Sequence, residues 1–494
     1  MTRWTLPAIL FGVPFLAAAS AWAAAGDLDP TFGDDGRVLT EIDHVENSIL
    51  YHVARQTDGK LVAAGYAEVE GQGAVVGVAR YHPNGALDSS FGTGGVVLTP
   101  FGSYYPLVEG VLVQPDGRIV VAARINPISG GDIGLLRYDA GGTLDPSFGS
   151  GGIVVTSLGG PAEDTAAVAL QPDGKIVVAA DTSADFSGPP SGDVLVLRYQ
   201  PDGTLDAGFG LGGVATIDFG GRDEATALVL EPGGGIVVAG YTWAAPGDLS
   251  LGSSLAVARL DTDGVLDGGF GTGGRFIHSF GKQDEAQALV GMPDGRLLIA
   301  GASYTYTAPN QKEGPAFFLR LTEAGALDGT FGAGGVVWPA RAPSVGTLAL
   351  APDGKIVLVG TSGTGAFALA FGVARYLADG SPDLGFGDVG LASALLDQTG
   401  SNATAGLVEP DGNIVAVGVT TETSPNQNPP YFVEYYFGLA RFPGRLGAVR
   451  VGRRLRPLRI VRTGRRVRIR PARRVHGGQA SGGQARVRRP GHRS

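Results

Sequence analysis

Acidic side chains that could bind a metal ion occupy the same place in three successive repeats of the sequence. The pairs are Glu163-Asp164, Asp223-Glu224 and Asp284-Glu285, each at the start of a predicted strand. Carboxylate oxygens are the ligands that calcium, a hard cation, prefers. The sequence therefore predicts an arc of acids that could bind calcium through Asp164, Glu224 and Glu285. The alternative is that these acids are only solvated strand ends, and apart from calcium no cofactor is predicted.

Aromatic side chains in the variable parts of the repeats are candidates for ligand binding. Binding residues concentrate on loops held by a rigid frame, and aromatic rings bury much area at a low cost in entropy. We expect either a carbohydrate or a protein as the ligand, unless these rings pack only on their own sheets. The predicted binding residues are Trp243, Tyr304, Tyr306, Tyr431 and Tyr435.

Arginines and aspartates match one for one along the chain, seven of each. Every predicted third strand ends in arginine followed by a large apolar residue, and every repeat carries the motif Asp-x-x-Phe-Gly. An active site needs one asymmetric constellation, so a sevenfold pattern indicates an ion pair or an Asx-turn in each sheet. The repeated Pro-Asp-Gly is likewise interpreted as a hairpin turn. No H-E-x-x-H, G-x-S-x-G or phosphate-binding loop occurs, and no catalytic residue is predicted.

The repeats, each about 60 residues long, predict the fold. Within one repeat, apolar runs and turn signals indicate four strands, which is typical of a β-propeller. A β-helix is the alternative, but it does not predict two hairpins per repeat. We predict an all-β, seven-bladed β-propeller of four-stranded repeats. It would be closed by an N-terminal strand, with Asp27–Gly33 pairing beside Phe437–Phe442.

The same motifs resemble a known family. The succession PDGKIVVAG, then ARY, then DGxLDxxFGxxG is similar to the delta-60 repeat family of exported bacterial proteins, over about residues 26 to 442. The resemblance implies a β-propeller and no particular activity. Departures include Gly233 in place of the turn aspartate and Pro382-Asp383 in place of Leu-Asp.

The two ends of the chain differ from the repeats. Residues 1–23 have the pattern of a signal peptide, which predicts a secreted, periplasmic or cell-surface protein without a membrane span. Residues 24–442 form the predicted propeller, with a net charge near −27. Residues 443–494 contain 17 arginines and no acid. This tail is either a disordered arm for nucleic acid or an out-of-frame gene end, and its abrupt start favours the second interpretation.

These observations favour a binding function over catalysis. We expect an exported, monomeric binding or scaffold module with an unidentified ligand on its loop face, and no nucleic-acid partner unless the arginine-rich tail is genuine. The alternatives are an exported hydrolase or lyase acting on a polysaccharide, and a passive cell-surface structural protein. The chain has no cysteine, so disulfides and thiolate chemistry are excluded.

Overall fold

The computed structural model describes residues 24–101, 106–125, 131–158, 163–182, 192–243, 252–308, 311–363, 369–396, 400–423 and 433–444. All of them belong to one compact unit, Met1–Val449. The predicted signal peptide, Tyr431 and the tail from residue 445 onward lie outside the described residues. In the described part of the chain, no helix is long and apolar enough to cross a bilayer.

The described residues form 29 strands and no helix. The first thirteen strands are β1 (Arg37–Thr40), β2 (Val45–Arg55), β3 (Leu61–Val69), β4 (Gly73–Tyr81), β5 (Val96–Thr99), β6 (Leu107–Val113), β7 (Ile119–Ile125), β8 (Asp132–Tyr138), β9 (Ile153–Thr156), β10 (Glu163–Leu170), β11 (Ile176–Thr182), β12 (Val194–Tyr199) and β13 (Val214–Ile217). The next nine are β14 (Arg222–Leu230), β15 (Ile236–Trp243), β16 (Ser253–Leu260), β17 (Arg275–His278), β18 (Gln283–Gly291), β19 (Leu297–Ala308), β20 (Gln311–Glu313), β21 (Ala316–Leu321) and β22 (Val336–Val337). The last seven are β23 (Thr347–Leu350), β24 (Ile356–Gly363), β25 (Leu369–Tyr376), β26 (Leu391–Ala394), β27 (Ser401–Val408), β28 (Ile414–Thr423) and β29 (Val433–Phe442).

The Pro-Asp-Gly segment is a hairpin turn, as predicted. Between β10 and β11, Gln171 N donates to Lys175 O at 2.8 Å and Gly174 N donates to Gln171 O at 2.9 Å. Gly174 has φ +86°, a conformation that residues with a Cβ atom rarely adopt. The Asp173 side chain accepts a hydrogen bond from Lys175 N at 3.2 Å, and its Oδ2 lies 3.7 Å from Lys175 Nζ. This aspartate therefore shapes the turn.

The strands form an all-β propeller architecture in which sheets follow one another along the chain. Four of the sheets have the orders β6-β7-β8-β9, β10-β11-β12-β13, β14-β15-β16-β17 and β23-β24-β25-β26. A fifth sheet, β18-β19-β21-β22, carries β20 as an extra strand on β19. The sixth is eight-stranded, with the order β27-β28-β29-β2-β3-β4-β5 and with β1 also paired to β29.

The prediction of seven separate four-stranded blades is therefore wrong, because the described strands form six sheets. One parallel contact, Asn47 with Tyr435, joins strands of the first and last repeats into the eight-stranded sheet. The predicted N-terminal pairing segment is also corrected. The residues that pair with β29 are Arg37–Thr40, with Arg37 opposite Ala440, and Asp27–Gly33 form turns instead.

The hydrophobic core lies between neighbouring sheets. In one cluster, Val120 and Ile133 of one sheet pack on Ile176 and Leu197 of the next. The first strand of each repeat also contacts the first strands of the neighbouring repeats, so these strands form a continuous inner row. The inner strands are β2, β6, β10, β14, β18, β23 and β27, and β27 contacts β2 again. Side chains from distant repeats can therefore meet along this row.

The repeated arginines and aspartates pair, as the sequence predicts. Arg137 Nε donates to Asp145 Oδ2 at 2.8 Å, and the guanidinium lies 4.5 Å from the Phe148 ring centroid. Asp145 Oδ1 accepts from Ser147 N, which is an Asx-turn. The burial of Asp145 raises its pKa, but hydrogen bonds from Ser147 and the charge of Arg137 outweigh burial and lower it. The pairs in the described residues are Arg80–Asp88, Arg137–Asp145, Arg198–Asp206, Arg259–Asp267, Arg320–Asp328, Arg375–Asp383 and Arg441–Asp29.

Candidate ligand-binding site at the inner strands

A β-bulge recurs at the same point of the inner strands. It interrupts the register with the second strand in six of the described repeats. Bulges are enriched next to functional sites because they redirect a side chain. The extra residue varies among the repeats, with only threonine occurring twice, although the scaffold around it is repeated. The residues at the bulge are Tyr51, Glu109, Ala166, Thr226, Gln287 and Thr404.

The bulge residues lie at boundaries between inner strands. Thr226 Oγ1 donates to Ala286 O of the next repeat at 2.9 Å, and Thr404 Oγ1 donates to Leu50 O at 2.6 Å. The ring of Tyr51 stacks on Tyr66, with centroids 6.1 Å apart. Polar groups at this level therefore contact two repeats at once.

Glu224 is the centre of a polar group on β14 and β15. Its Oε1 lies 3.0 Å from Arg222 Nη2, and its Oε2 accepts a hydrogen bond from the Tyr241 hydroxyl. Glu224 and Tyr241 are opposite each other in the antiparallel register. Burial raises the pKa of Tyr241, and the charges of Glu224, Glu285 and Asp181 raise it further. Three carboxyl groups from three repeats are thus close to one phenol.

Asp181 is a buried acid at the end of β11. Its Oδ2 accepts a hydrogen bond from Ala225 N of the next repeat at 3.3 Å. Burial, together with the charge of Glu224, raises the pKa of Asp181 to about 8, although Arg222 and Arg124 act in the opposite direction. Asp181 is therefore mostly protonated at neutral pH and can donate a hydrogen bond to a ligand.

Glu109 and Arg124 extend this group to the preceding repeat. Burial raises the pKa of Glu109 to about 7, and the charge of Arg124 opposes that rise. Arg124 interacts electrostatically with both Glu109 and Asp181. We name the whole set the inner-strand cluster. It consists of Glu109, Arg124, Asp181, Arg222, Glu224, Tyr241 and Glu285.

The predicted aromatic ligand residues lie in different places. Trp243, partly buried at the end of β15, contacts Tyr241 edge to face, with centroids 6.2 Å apart. Tyr304 on β19 accepts a hydrogen bond from the bulge residue Gln287 at 2.9 Å. Tyr435 lies apart from them on β29, where it pairs with Asn47. Tyr306 is on β19, but its side chain, like the whole of Tyr431, lies outside the described residues.

The predicted calcium residues are arranged as follows. Glu224 is bound to Arg222 and Tyr241, and Glu285 is buried nearby on β18. Asp164 lies on β10 opposite Asp181, but its side chain is outside the described part of the structure. A calcium ion bound to these three residues remains a prediction.

Sequence reasoning missed Glu109, Arg124, Asp181 and Arg222. A signal was nevertheless present in the second strand of each repeat. Most of this second strand is apolar in every repeat. The position five residues after its first apolar residue, however, is occupied by different residue types in different repeats. The residues in this column are Tyr66, Arg124, Asp181, Tyr241, Ala302, Thr361 and Val419.

Comparisons with known proteins support the fold class. Five segments match the family described as "Domain of unknown function (DUF5122) beta-propeller", namely residues 56–91, 114–148, 171–209, 233–270 and 351–386. The family therefore recognises five repeats in this chain, and not the seven predicted from the motifs. No curated protein sequence matches the chain.

Solved structures with a similar chain path share little sequence with this protein. The polysaccharide lyase Uly1 is 10% identical with a TM-score of 0.48, and the match covers 85% of this chain and 94% of that one. An α-L-arabinanase of Penicillium chrysogenum, complexed with arabinobiose, is 10% identical with a TM-score of 0.38. That match covers 67% of this chain and 91% of the arabinanase.

Proposed function

We propose that this protein is a carbohydrate-binding propeller whose ligand contacts the inner-strand cluster. The observation that carries the proposal is asymmetry within a repeated scaffold. The arginine–aspartate pairs recur in every repeat and serve the fold, whereas the complete set of cluster residues occurs in no single repeat, although an acid recurs at the position of Glu224. Glu109, Arg124 and Asp181 are charged or ionisable acids and bases at positions where the other repeats have uncharged residues or tyrosine, and their burial has a cost in desolvation that the fold itself does not require.

The chemistry of the cluster suits a neutral polyhydroxylated ligand. Each sugar hydroxyl both donates and accepts hydrogen bonds, and the cluster offers both partners. Glu224 accepts, Arg124 donates, and a protonated Asp181 can do either. The rings of Tyr241 and Trp243, next to these groups, can cover the apolar face of a sugar ring. A few convergent polar groups beside aromatic side chains are typical of small-ligand sites.

A second candidate function is hydrolysis of a glycosidic bond. Asp181 has a pKa of about 8, and its neighbour Glu224 is in an ion pair with Arg222. A protonated carboxyl beside a charge-paired carboxylate is the arrangement that glycoside hydrolysis uses for its acid and its base or nucleophile. Release of reducing ends from a bound polysaccharide, abolished in D181N, would favour this function over binding alone.

We also propose where the protein is located, which repeat proteins it is related to and in which oligomeric state it acts. We propose that the protein is exported, because residues 1–23 have the pattern of a signal peptide. We assign it to the delta-60 repeat proteins on the motifs quoted above, and we propose that it acts as a monomer.

The test is binding of named polysaccharides by affinity electrophoresis and calorimetry. Dextran, pullulan and arabinoxylan serve as neutral probes, with alginate as an acidic one. We expect at least one neutral polysaccharide to bind, and E224Q and Y241F each to weaken binding about tenfold, as loss of a charged or buried hydrogen bond does. E323Q, which changes an exposed acid in an outer turn, is the matched control and should bind as wild type. Wild-type affinity in both cluster variants would refute the proposed site.

A further inference from the structure

A second group of acids lies outside the inner-strand cluster. Asp193 precedes β12, Asp218 follows β13, and Asp223 lies on β14. One carboxylate oxygen from each of the three lies within 4.8 Å of the other two, the one such group in the described residues. The main chain fixes this arrangement, because Asp223 N donates to Gly192 O at 2.8 Å.

Burial and the charge of Asp218 raise the pKa of both Asp193 and Asp223. Burial raises the pKa of Asp193, and the charge of Asp218 raises it further. Burial likewise raises the pKa of Asp223, and Asp218 and Asp193 add to the rise, against hydrogen bonding from Thr242 and Phe219. Like charges this close favour either protonation or a bound cation.

One carboxylate oxygen of the buried Asp223 has no hydrogen-bond partner of normal geometry. The residue is only 1% exposed. Its Oδ2 accepts from Phe219 N at 2.6 Å, whereas Oδ1 has no hydrogen-bond partner of normal geometry, although the Thr242 hydroxyl is near enough to lower the pKa. A buried carboxylate oxygen without a partner is costly, and a cation would satisfy it.

The next repeat provides an internal comparison. Sixty-one residues further along the chain, the positions of Asp193, Asp218 and Asp223 are occupied by Ser254, Ser279 and Asp284. Asp284 has the same loop contact, accepting from Phe280 N at 2.6 Å. Both of its oxygens also accept from hydroxyls, Oδ2 from Ser279 at 3.1 Å and Oδ1 from Ser303 at 2.5 Å. Thr242 takes the place of Ser303 beside Asp223, but the Ser279 hydroxyl is replaced by the carboxylate of Asp218, which cannot donate when it is ionised.

We propose that Asp193, Asp218 and Asp223 bind a calcium ion. Ca²⁺ binds oxygen ligands at about 2.3–2.6 Å, so ligand oxygens up to about 5 Å apart can share one ion. The three carboxylates would supply part of its shell, with water completing it. The site is distinct from the predicted set Asp164, Glu224 and Glu285, and it is independent of carbohydrate binding.

The test replaces two of the aspartates with serine, the residue found at the equivalent positions of the next repeat. We expect the wild type to bind one Ca²⁺ by calorimetry, to enhance Tb³⁺ luminescence, and to melt at a higher temperature with Ca²⁺ than without. The variant D193S/D218S should fold, because Ser254 and Ser279 occupy the same frame, and it should lose all three responses. E224Q/E285Q is the matched control and should keep them.

Three results would overturn the proposal. One is a wild type that binds no Ca²⁺ up to about 10 mM, well above the dissociation constants of weak extracellular sites. Another is a D193S/D218S variant that binds Ca²⁺ with unchanged stoichiometry and affinity. The third is loss of binding in E224Q/E285Q alone, which would place the ion at the inner-strand acids.

Discussion

Arg441 Nε donates a 2.9 Å hydrogen bond to Oδ2 of Asp29, a residue 412 positions earlier in the chain. The same guanidinium lies 4.7 Å from the ring centroid of Phe32. In the other repeats, the paired arginine and aspartate are only eight residues apart, as Arg137 and Asp145 are. The Asp29 pair therefore joins distant segments of the chain, and with β1 it holds the N-terminal segment against β29.

The first prediction concerns this long-range pair. D29A should lower the free energy of unfolding by about 2 kcal/mol, because it removes a charge-assisted hydrogen bond from the largely buried Arg441, which keeps only the more distant Glu409 as an ion-pair partner. In the D29A variant, limited proteolysis should cleave first within the N-terminal segment that precedes β2. D34A, which removes an exposed aspartate from the same segment, is the control and should change stability little. Equal thermal midpoints for the two variants would contradict this role of Asp29.

The second prediction compares two glycines with the same backbone conformation. Gly203 has φ +89° and Gly174 has φ +86°. A Cβ on Gly203 would lie 2.6 Å from Val154 Cγ2 and 2.9 Å from Phe148 Cε2, whereas on Gly174 the nearest atom, of Pro201, would be 3.5 Å away. G174A should therefore lower the free energy of unfolding by about 1 kcal/mol, because alanine is unfavourable in the left-handed conformation. G203A should lower it by about 1–3 kcal/mol more, because its Cβ would also collide with neighbouring side chains. Urea unfolding of the two variants side by side measures the difference. Equal costs would show that the turn of one repeat does not pack tightly on the preceding one.

The repeated part of the structure could be predicted from sequence because it is local. The ion pair between Arg137 and Asp145 spans eight residues and recurs, so spacing alone identifies it. Strand β12, Val194–Tyr199, also begins and ends where the apolar pattern predicts. The pattern of that repeat predicts a final strand over Leu205–Thr216, but the observed strand is shorter, Val214–Ile217, because the Phe209-Gly210 region forms turns.

The sites could be predicted only in part, because they join residues from different repeats. Glu224 was visible as an acid at a strand start, but its relation to Asp181 depends on contact between neighbouring inner strands. The bulge at Glu109 shifts one strand by one residue, and no residue type marks it in the sequence. The merging of two repeats into one sheet depends on a single pairing, Asn47 with Tyr435, which no motif encodes.

The third prediction is a pH dependence of stability caused by Asp181. Its pKa is about 8 in the folded protein against an ordinary value of 3.8, so between these values the folded chain keeps a proton that the unfolded chain releases. The free energy of unfolding should therefore fall as pH rises through this window, by at most about 1.4 kcal/mol per pH unit. Burial lowers the pKa of His52 to about 4, which gives the opposite slope, but only below about 6.5.

The interval from pH 7 to 8 isolates Asp181, because Glu109, with a pKa of about 7, contributes mainly below it. D181N should have a flatter stability profile than the wild type across this interval in urea unfolding. D173N, at the exposed hairpin turn of the same repeat, is the control and should keep the wild-type slope. Parallel profiles for D181N and the wild type would show that Asp181 does not retain its proton.

The last prediction is a stabilising substitution at Val389. This residue has φ +53°, which is unfavourable for a β-branched side chain, and it is 52% exposed. Equivalent positions in five other repeats are glycines with φ between +60° and +67°, including Gly334. V389G should raise the urea midpoint, because relief of about 1–2 kcal/mol of backbone strain exceeds the greater freedom of glycine in the unfolded chain. G334V is the reverse experiment and should lower the midpoint, since a Cβ there meets no atom within 4 Å and only the backbone conformation opposes it. If V389G is less stable than the wild type while G334V is unchanged, contacts of the valine side chain, and not backbone strain, determine stability at this turn.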